Sequence, residues 1–182
     1  MRFTASILCV LFVGLACSGE QYNRKTADIH DIIGETYRLS TSYERSRLNK
    51  DTGIRNPNTN KWIVYFNRNG CTPCALKSLK HWKDIIADFD SLRLKAELIF
   101  IINAAADDED LTKVLEQEAF DYPILCDEQG EFERYNLLPA NDLLNTFVLD
   151  GNNVVRIVGT PLISDKMKNV FFNYLIANDV EP

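Results

Sequence analysis

Cys71 and Cys74, in the run Cys71-Thr72-Pro73-Cys74, are the pair of side chains in this chain best suited to covalent chemistry. Two cysteines with two residues between them can close a small disulfide ring. If the pair opens a helix, the first thiol meets unpaired backbone amides and the positive end of the helix dipole, and both favour thiolate over thiol. Cys71 is therefore the expected nucleophile. Cys74, one turn further on, is expected to be more buried and to act as the resolving thiol, attacking a mixed disulfide and releasing its partner. Pro73 suits a first helical turn, where no amide hydrogen bond is lost.

Other chemistry at the pair is poorly supported. A static disulfide is the plain structural alternative in an oxidising compartment. Zinc needs about four ligands, and only Cys126, His81 and His30 offer themselves beside the pair. Covalent haem requires a histidine directly after Cys74, where Ala75 stands. No metal and no cofactor is expected. Cys126 closes an apolar run and reads most simply as a small buried hydrophobe, with a third redox partner as the alternative. His81 reads as a surface histidine. Arg68, Lys77 and Lys80 would raise the potential around Cys71, with a solvated helix face as the alternative for the two lysines.

The elements that must position the pair are clear in the pattern. Trp62-Ile63-Val64-Tyr65-Phe66 is an unbroken β-prone run, as a strand buried on both faces requires. After the loop Asn67 to Gly70 and the cysteines, Leu79, Trp82, Ile85, Ile86 and Phe89 recur at spacings of three and four, the stripe of an amphipathic helix. Leu98-Ile99-Phe100-Ile101-Ile102 is a second buried strand, and strand-helix-strand implies a right-handed parallel crossover. The acids Asp107 to Asp110 suit the first turn of a helix continuing through Leu111, Val114 and Leu115, rather than a cation site. Tyr122 to Cys126 forms a third short strand, followed by a short helix through Phe132 and Tyr135. Asn145 to Leu149 and Val154 to Val158 flank Asp150-Gly151-Asn152-Asn153 as a hairpin. Ser164 and Asp165 start a last helix with Met167, Val170, Phe171, Tyr174 and Leu175 on one face.

Composition fits one domain. The chain has 182 residues, 46% of them hydrophobic and 25% charged, which excludes disorder and repeat arrays. With 20 Lys and Arg against 26 Asp and Glu, no broad cationic face is available for nucleic acid. Residues 1–16 read as an export signal: Arg2 is their only charge and Ala5 to Ala16 are apolar and too short to span a bilayer. Two processing sites compete, lipidation of Cys17 after Gly14-Leu15-Ala16 and ordinary cleavage using Ala16 and Ser18; the cysteine at the end of the apolar run favours the first. Residues 17–60 are polar and turn-rich and read as a tether and N-terminal extension, leaving 61–178 as the domain. Once Cys9 and Cys17 are set aside, three thiols remain, an odd number that argues against a purely structural disulfide framework.

This order of strand, Cys-x-Pro-Cys, helix, strand, helix, strand, hairpin and helix resembles the thioredoxin-like fold. Tyr122-Pro123-Ile124-Leu125-Cys126-Asp127 ahead of Asn145-Thr146-Phe147-Val148-Leu149-Asp150-Gly151 is similar, more narrowly, to the membrane-tethered extracytoplasmic thiol–disulfide oxidoreductases of bacteria and to the thioredoxin-like lipoproteins of Bacteroidetes. The resemblance implies an α/β three-layer fold with a central mixed sheet and an inserted helix–strand unit. It also implies client proteins bearing disulfides or thiols, a membrane-bound electron donor, and a periplasmic or membrane-anchored lipoprotein of a Gram-negative bacterium. Thr72, Pro73, Leu144 and Asn145 would line the substrate groove. Three positions depart from the pattern. Gly70 stands where tryptophan is usual. Tyr65 takes the place of the buried acid six residues before the first cysteine. Leu144 replaces the cis-proline, so a trans bond is expected there, since a non-prolyl cis bond costs about 2.5 to 4 kcal/mol. The peroxidase box Pro-x-x-x-Thr-x-x-Cys of related enzymes is missing before Cys71. These losses motivate the alternative of a non-catalytic binding or assembly lipoprotein on the same fold.

Overall fold

The computed structural model describes residues 26–40, 43–45, 58–67 and 77–179. Its frame is a six-stranded mixed sheet in the order β2-β5-β4-β3-β7-β8, formed by β2 (Glu44–Arg45), β5 (Ile124–Cys126), β4 (Glu97–Ile102), β3 (Lys61–Phe66), β7 (Thr146–Leu149) and β8 (Val155–Gly159). β3, β4 and β5 run parallel, and β7 pairs antiparallel with both β3 and β8. All six residues of β3 are buried, which explains why its sequence does not alternate: a central strand covered on both faces has no solvent side to mark. β5 is shorter than the apolar run suggests, because Pro123 has no N–H to give a ladder.

One face of the sheet is covered by α2 (Leu79–Leu92), α3 (Glu109–Gln117) and α5 (Asp165–Ala177). Trp62 is its centre, stacked on Phe171 at 5.0 Å and edge-on to Trp82 and Phe172. Aromatic pairs of this kind add about 0.5–1.5 kcal/mol each beyond the area they bury. On α5 the buried residues are Phe171, Phe172 and Leu175; Val170, expected to face the core, is exposed, since the aromatic rings around Trp62 draw Phe172 inward instead. Asp108 caps α3 by accepting from the N–H groups of Asp110 and Leu111 at 2.9 Å, so the acidic run does serve a helix start. Ser164 caps α5 through the Met167 N–H.

The opposite face is closed by the N-terminal segment, with β1 (Thr26–Ala27) and α1 (Ile29–Ile32), together with α4 (Glu131–Tyr135) and β6 (Leu138–Pro139). β1 pairs with β6, Gly34 and Glu35 bond to Val155, and Tyr37 donates its N–H to Asn153 and its hydroxyl to Leu137. Ile32 and Tyr37 are fully buried against Phe132, Phe147 and Leu149. Residues 26–40 are thus part of the packed body, and the 61–178 span leaves out this layer of the core. At the hairpin tip, Asp150 accepts from Asn152 and Val154, and a Cβ on Gly151 would lie 2.4 Å from the Asn58 carbonyl oxygen, so only glycine fits there. No helix among the described residues is long and apolar enough to cross a membrane.

Candidate functional site

Cys71, Thr72, Pro73 and Cys74 lie outside the described residues, as does Cys17. Their frame is described. β3 ends at Phe66, Asn67 follows it, and the chain resumes at Lys77 just before α2. In sequence the Cys-x-x-Cys run falls between the carboxyl end of the central strand and α2, whose first residue, Leu79, is five positions past Cys74. His81, Lys77 and Lys80 are exposed, and Cys126 is buried at the end of β5, as the sequence suggested.

Leu144 and Asn145, the described half of the expected groove, adjoin the same strand end. Asp142–Leu144 form a 3-10 turn capped by Asn141, and the buried Asn145 that ends it accepts the Tyr65 N–H through its carbonyl at 2.9 Å. No cis peptide bond occurs among the described residues, so the Leu144 bond is trans as expected. A second 3-10 turn, Pro161–Ile163, follows β8 and is capped by Thr160. The register Val64 to Thr146 to Gly159 puts both turns at the carboxyl end of β3. They expose apolar side chains there: Leu143 is 75% and Ile163 64% accessible, with Leu162 beside them.

Beneath this surface lies a polar layer that the sequence reading passed over. The pairs Phe66 to Ile102 and Ile102 to Cys126 are in register, and each of these three residues is followed directly by a buried polar one: Asn67, Asn103 and Asp127, which are 6%, 7% and 2% exposed. The ladder continues into this layer, with Asn103 N–H on Phe66 O at 2.9 Å and Asp127 N–H on Ile102 O at 2.7 Å. Asp127 accepts from the Glu131 and Phe132 N–H groups, both at 2.8 Å, and so starts α4. Burial raises its pKa despite these two bonds, which act in the opposite direction. The signal was present as the repeated step from an apolar run straight into Asn or Asp.

Tyr65 stands one step back from that layer, its ring tilted against Phe132 at 4.7 Å between centroids. Its hydroxyl is enclosed by the side chains of Asn103 and Glu133. Burial first, and the Glu133 charge next, hold it well above the ordinary phenol range. Glu133 is 5% exposed, so α4 carries a carboxyl inward beside Phe132. Gly130 makes this approach possible. It has φ +63°, and a Cβ there would sit 3.1 Å from Asn103 Nδ2 and 3.8 Å from Glu133 Oε1. Among the described residues no group of three His, Cys, Asp or Glu side chains is arranged to hold a metal ion.

No protein-family model and no curated protein matches the chain. Solved structures do. The chain is similar to the solution structure of a Bacteroides thetaiotaomicron protein provisionally assigned as a disulfide isomerase, with a TM-score of 0.54 at 16% identity over 80% of this chain and 91% of that one. It also matches the thioredoxin domain of a thiol-disulfide oxidoreductase from Bacteroides vulgatus (TM-score 0.46, 10% identity, 65% and 81% covered). A peroxiredoxin Q from Xanthomonas campestris matches at TM-score 0.45 and 13% identity, with 68% and 81% covered. The fold is thioredoxin-like, an α/β architecture around a mixed sheet.

Proposed function

We propose that the chain is an exported thiol–disulfide oxidoreductase that reduces or exchanges disulfides in extracytoplasmic client proteins, with Cys71 as nucleophile and Cys74 as resolving thiol. One observation carries the reading: in sequence a Cys-x-Pro-Cys run lies between the central strand and an amphipathic helix on a thioredoxin-like sheet. Cys71 thiolate attacks a client disulfide, one client sulfur leaves, and a mixed disulfide forms. Cys74 then attacks the Cys71 sulfur, closing the Cys71–Cys74 bond and releasing the second client thiol. A membrane-bound dithiol donor returns the pair to its reduced state. Leu144 and Asn145 hold one wall of the groove with Thr72 and Pro73, and the exposed Leu143, Leu162 and Ile163 favour an unfolded, apolar client segment. Lipidation at Cys17 would hold the domain at the membrane.

A specific observation favours a second reading. The cis-proline position is a leucine ending a 3-10 turn, and Tyr65 occupies the acid's place, as fits a binding or assembly lipoprotein that keeps the fold without the turnover. A redox titration separates the two. The purified protein is poised in thiol–disulfide buffers, alkylated, and its modified cysteines counted by mass. A reversible Cys71–Cys74 couple is expected, near about −270 mV for a reductant or about −120 mV for an oxidant. Cys71→Ser abolishes turnover of a disulfide substrate under the first reading and changes nothing under the second.

A further inference from the structure

The segment 26–38 does more than cover one face of the sheet. It is fastened to β8 and the hairpin, where Gly34 N–H bonds to Val155 O at 2.9 Å, Val155 N–H to Glu35 O at 2.8 Å and Tyr37 N–H to Asn153 O at 2.8 Å. Its side chains and strand then gather on Tyr135 to Pro139. Arg38 N–H donates to Asn136 Oδ1 at 2.7 Å, and Asn136 Nδ2 returns a bond to Arg38 O at 3.0 Å. The Tyr37 hydroxyl donates to Leu137 O, and the Arg38 guanidinium lies 4.3 Å from the centre of the Tyr135 ring. β1 pairs with Leu138 and Pro139. Asn136 is buried, stands in extended backbone where α4 ends, and commits both ends of its amide to a backbone 98 positions earlier.

These residues are where the chain enters the loop that carries the groove wall. From Pro139 it passes through the exposed Ala140 to the 3-10 turn Asp142–Leu144 and reaches β3 at Asn145, whose carbonyl accepts the Tyr65 N–H. The turn is closed by short-range bonds: Leu143 N–H to Asn141 Oδ1 at 3.1 Å, Leu144 N–H to Asn141 O at 2.9 Å and Asn145 N–H to Asp142 O at 3.2 Å. Bonds within a few residues fix the shape of a turn and leave its placement to the points where the chain enters and leaves. The exit is β7, laddered to β3 and β8. At the entry the N-terminal segment supplies the long-range bonds.

We propose that Tyr37 and Asn136 are positioning residues for the client: by tying residues 135–139 to a segment itself fixed on β8, they set where Leu143, Leu144 and Asn145 stand, and so how well that wall receives an unfolded apolar segment. The inference rests on the oxidoreductase reading above for its client and on the bonds just described for its geometry. The two side chains act through the backbone and need no contact with the reacting sulfurs.

The test compares full-length wild type with Tyr37→Phe, which keeps the ring against Phe132 and Phe147 and removes only the hydroxyl bond, and with Asn136→Ala, which removes both amide bonds. Phe172→Leu, a truncation in the aromatic core on the other face, is the control for lost stability. Amide hydrogen exchange at Leu144 and Asn145 is expected to quicken by about threefold to tenfold in Tyr37→Phe and further in Asn136→Ala, and to keep its wild-type rate in Phe172→Leu. Turnover is read on two disulfides, a short disulfide-bonded apolar peptide and oxidised glutathione. The peptide KM is expected to rise by about threefold to tenfold at unchanged kcat in the two variants, with both constants for oxidised glutathione unmoved. Turn amides that ignore Tyr37→Phe, or that respond equally to Phe172→Leu, overturn the proposal. So does a peptide KM at the wild-type value, or a fall in kcat shared by both disulfides. Should Asn136→Ala not fold, Tyr37→Phe decides alone. A wild type that turns over neither disulfide overturns the oxidoreductase reading and the client role together, whereas normal wild-type turnover with unmoved variants overturns this inference alone.

Discussion

The two faces of the central sheet are built from different chemistry. On one, Trp62, Val64 and Phe66 meet Trp82, Phe89, Phe100, Phe171 and Phe172 in an aromatic core covered by α2, α3 and α5, of which α3 and α5 carry side-chain caps. On the other, Ile63 and Tyr65 meet Phe132, Phe147, Tyr37 and Ile32, and the apolar packing gives way at the strand ends to Asn67, Asn103, Asp127, Glu133 and Asn145. Alternate residues of a single strand thus serve two purposes, because successive side chains point to opposite faces. Stability is concentrated where burial is apolar and dense. On the polar side burial raises the pKa of the Asp127 carboxyl and of the Tyr65 phenol.

The contrast fails if truncating the aromatic face is cheap. Trp62→Ala is expected to cost about 3–5 kcal/mol, read as a lower denaturant midpoint, and to cost the same at pH 5.5 as at pH 8, both taken as about neutral for this face. Ile32→Ala should cost about 2–4 kcal/mol if residues 26–40 belong to the core; a cost near zero would return them to the role of a tether. Asp127→Ala removes two helix-starting bonds and should cost about 1–2 kcal/mol. The pH dependence sharpens this case. The folded-state pKa of Asp127 lies above the ordinary 3.8, so the folded chain keeps this proton to higher pH than the unfolded chain does. Its contribution therefore declines as pH rises through the interval just above 3.8, and Asp127→Asn should remove that decline from a stability profile.

The smallest effect is expected at the hairpin tip. Burial pushes the Asp150 carboxyl up, but the Val154 and Asn152 N–H groups and Arg156 together hold it below 3.8. Stability from this group is present above 3.8 and lost as pH falls below it. Asp150→Asn is expected to cost about 1 kcal/mol near neutrality, with the difference from wild type shrinking in acid.

Much of this was legible before any coordinates. β3 and β4 announced themselves as unbroken apolar runs, α2 by its spacing of three and four, the hairpin by Asp150-Gly151-Asn152-Asn153, and the starts of α3 and α5 by the acids Asp107 to Asp110 and by Ser164 and Asp165. Leu144 and Asn145, expected in a substrate groove, lie at the carboxyl end of β3. Residues 26–40 were not legible as core, since two buried side chains in a polar stretch give no periodic signal; Ile32 and Tyr37 are buried by pairing with β6 and β8, far along the chain. Glu133 was hidden for the same reason. Phe132 marks the short helix, whereas the inward turn of its neighbour depends on Gly130 and Asn103.

What the amino-acid order determined alone is local. Chain stiffness, hydrophobic period and capping groups act over a few residues, and they define the strands, the long helices and the placing of the Cys71–Cys74 run between two of them. What only the tertiary structure decided is which distant residues share a space. Register brings Asn67, Asn103 and Asp127 to one level, and packing brings Glu133 to Tyr65. That meeting is a property of three strands and a helix at once, and no stretch of sequence contains it.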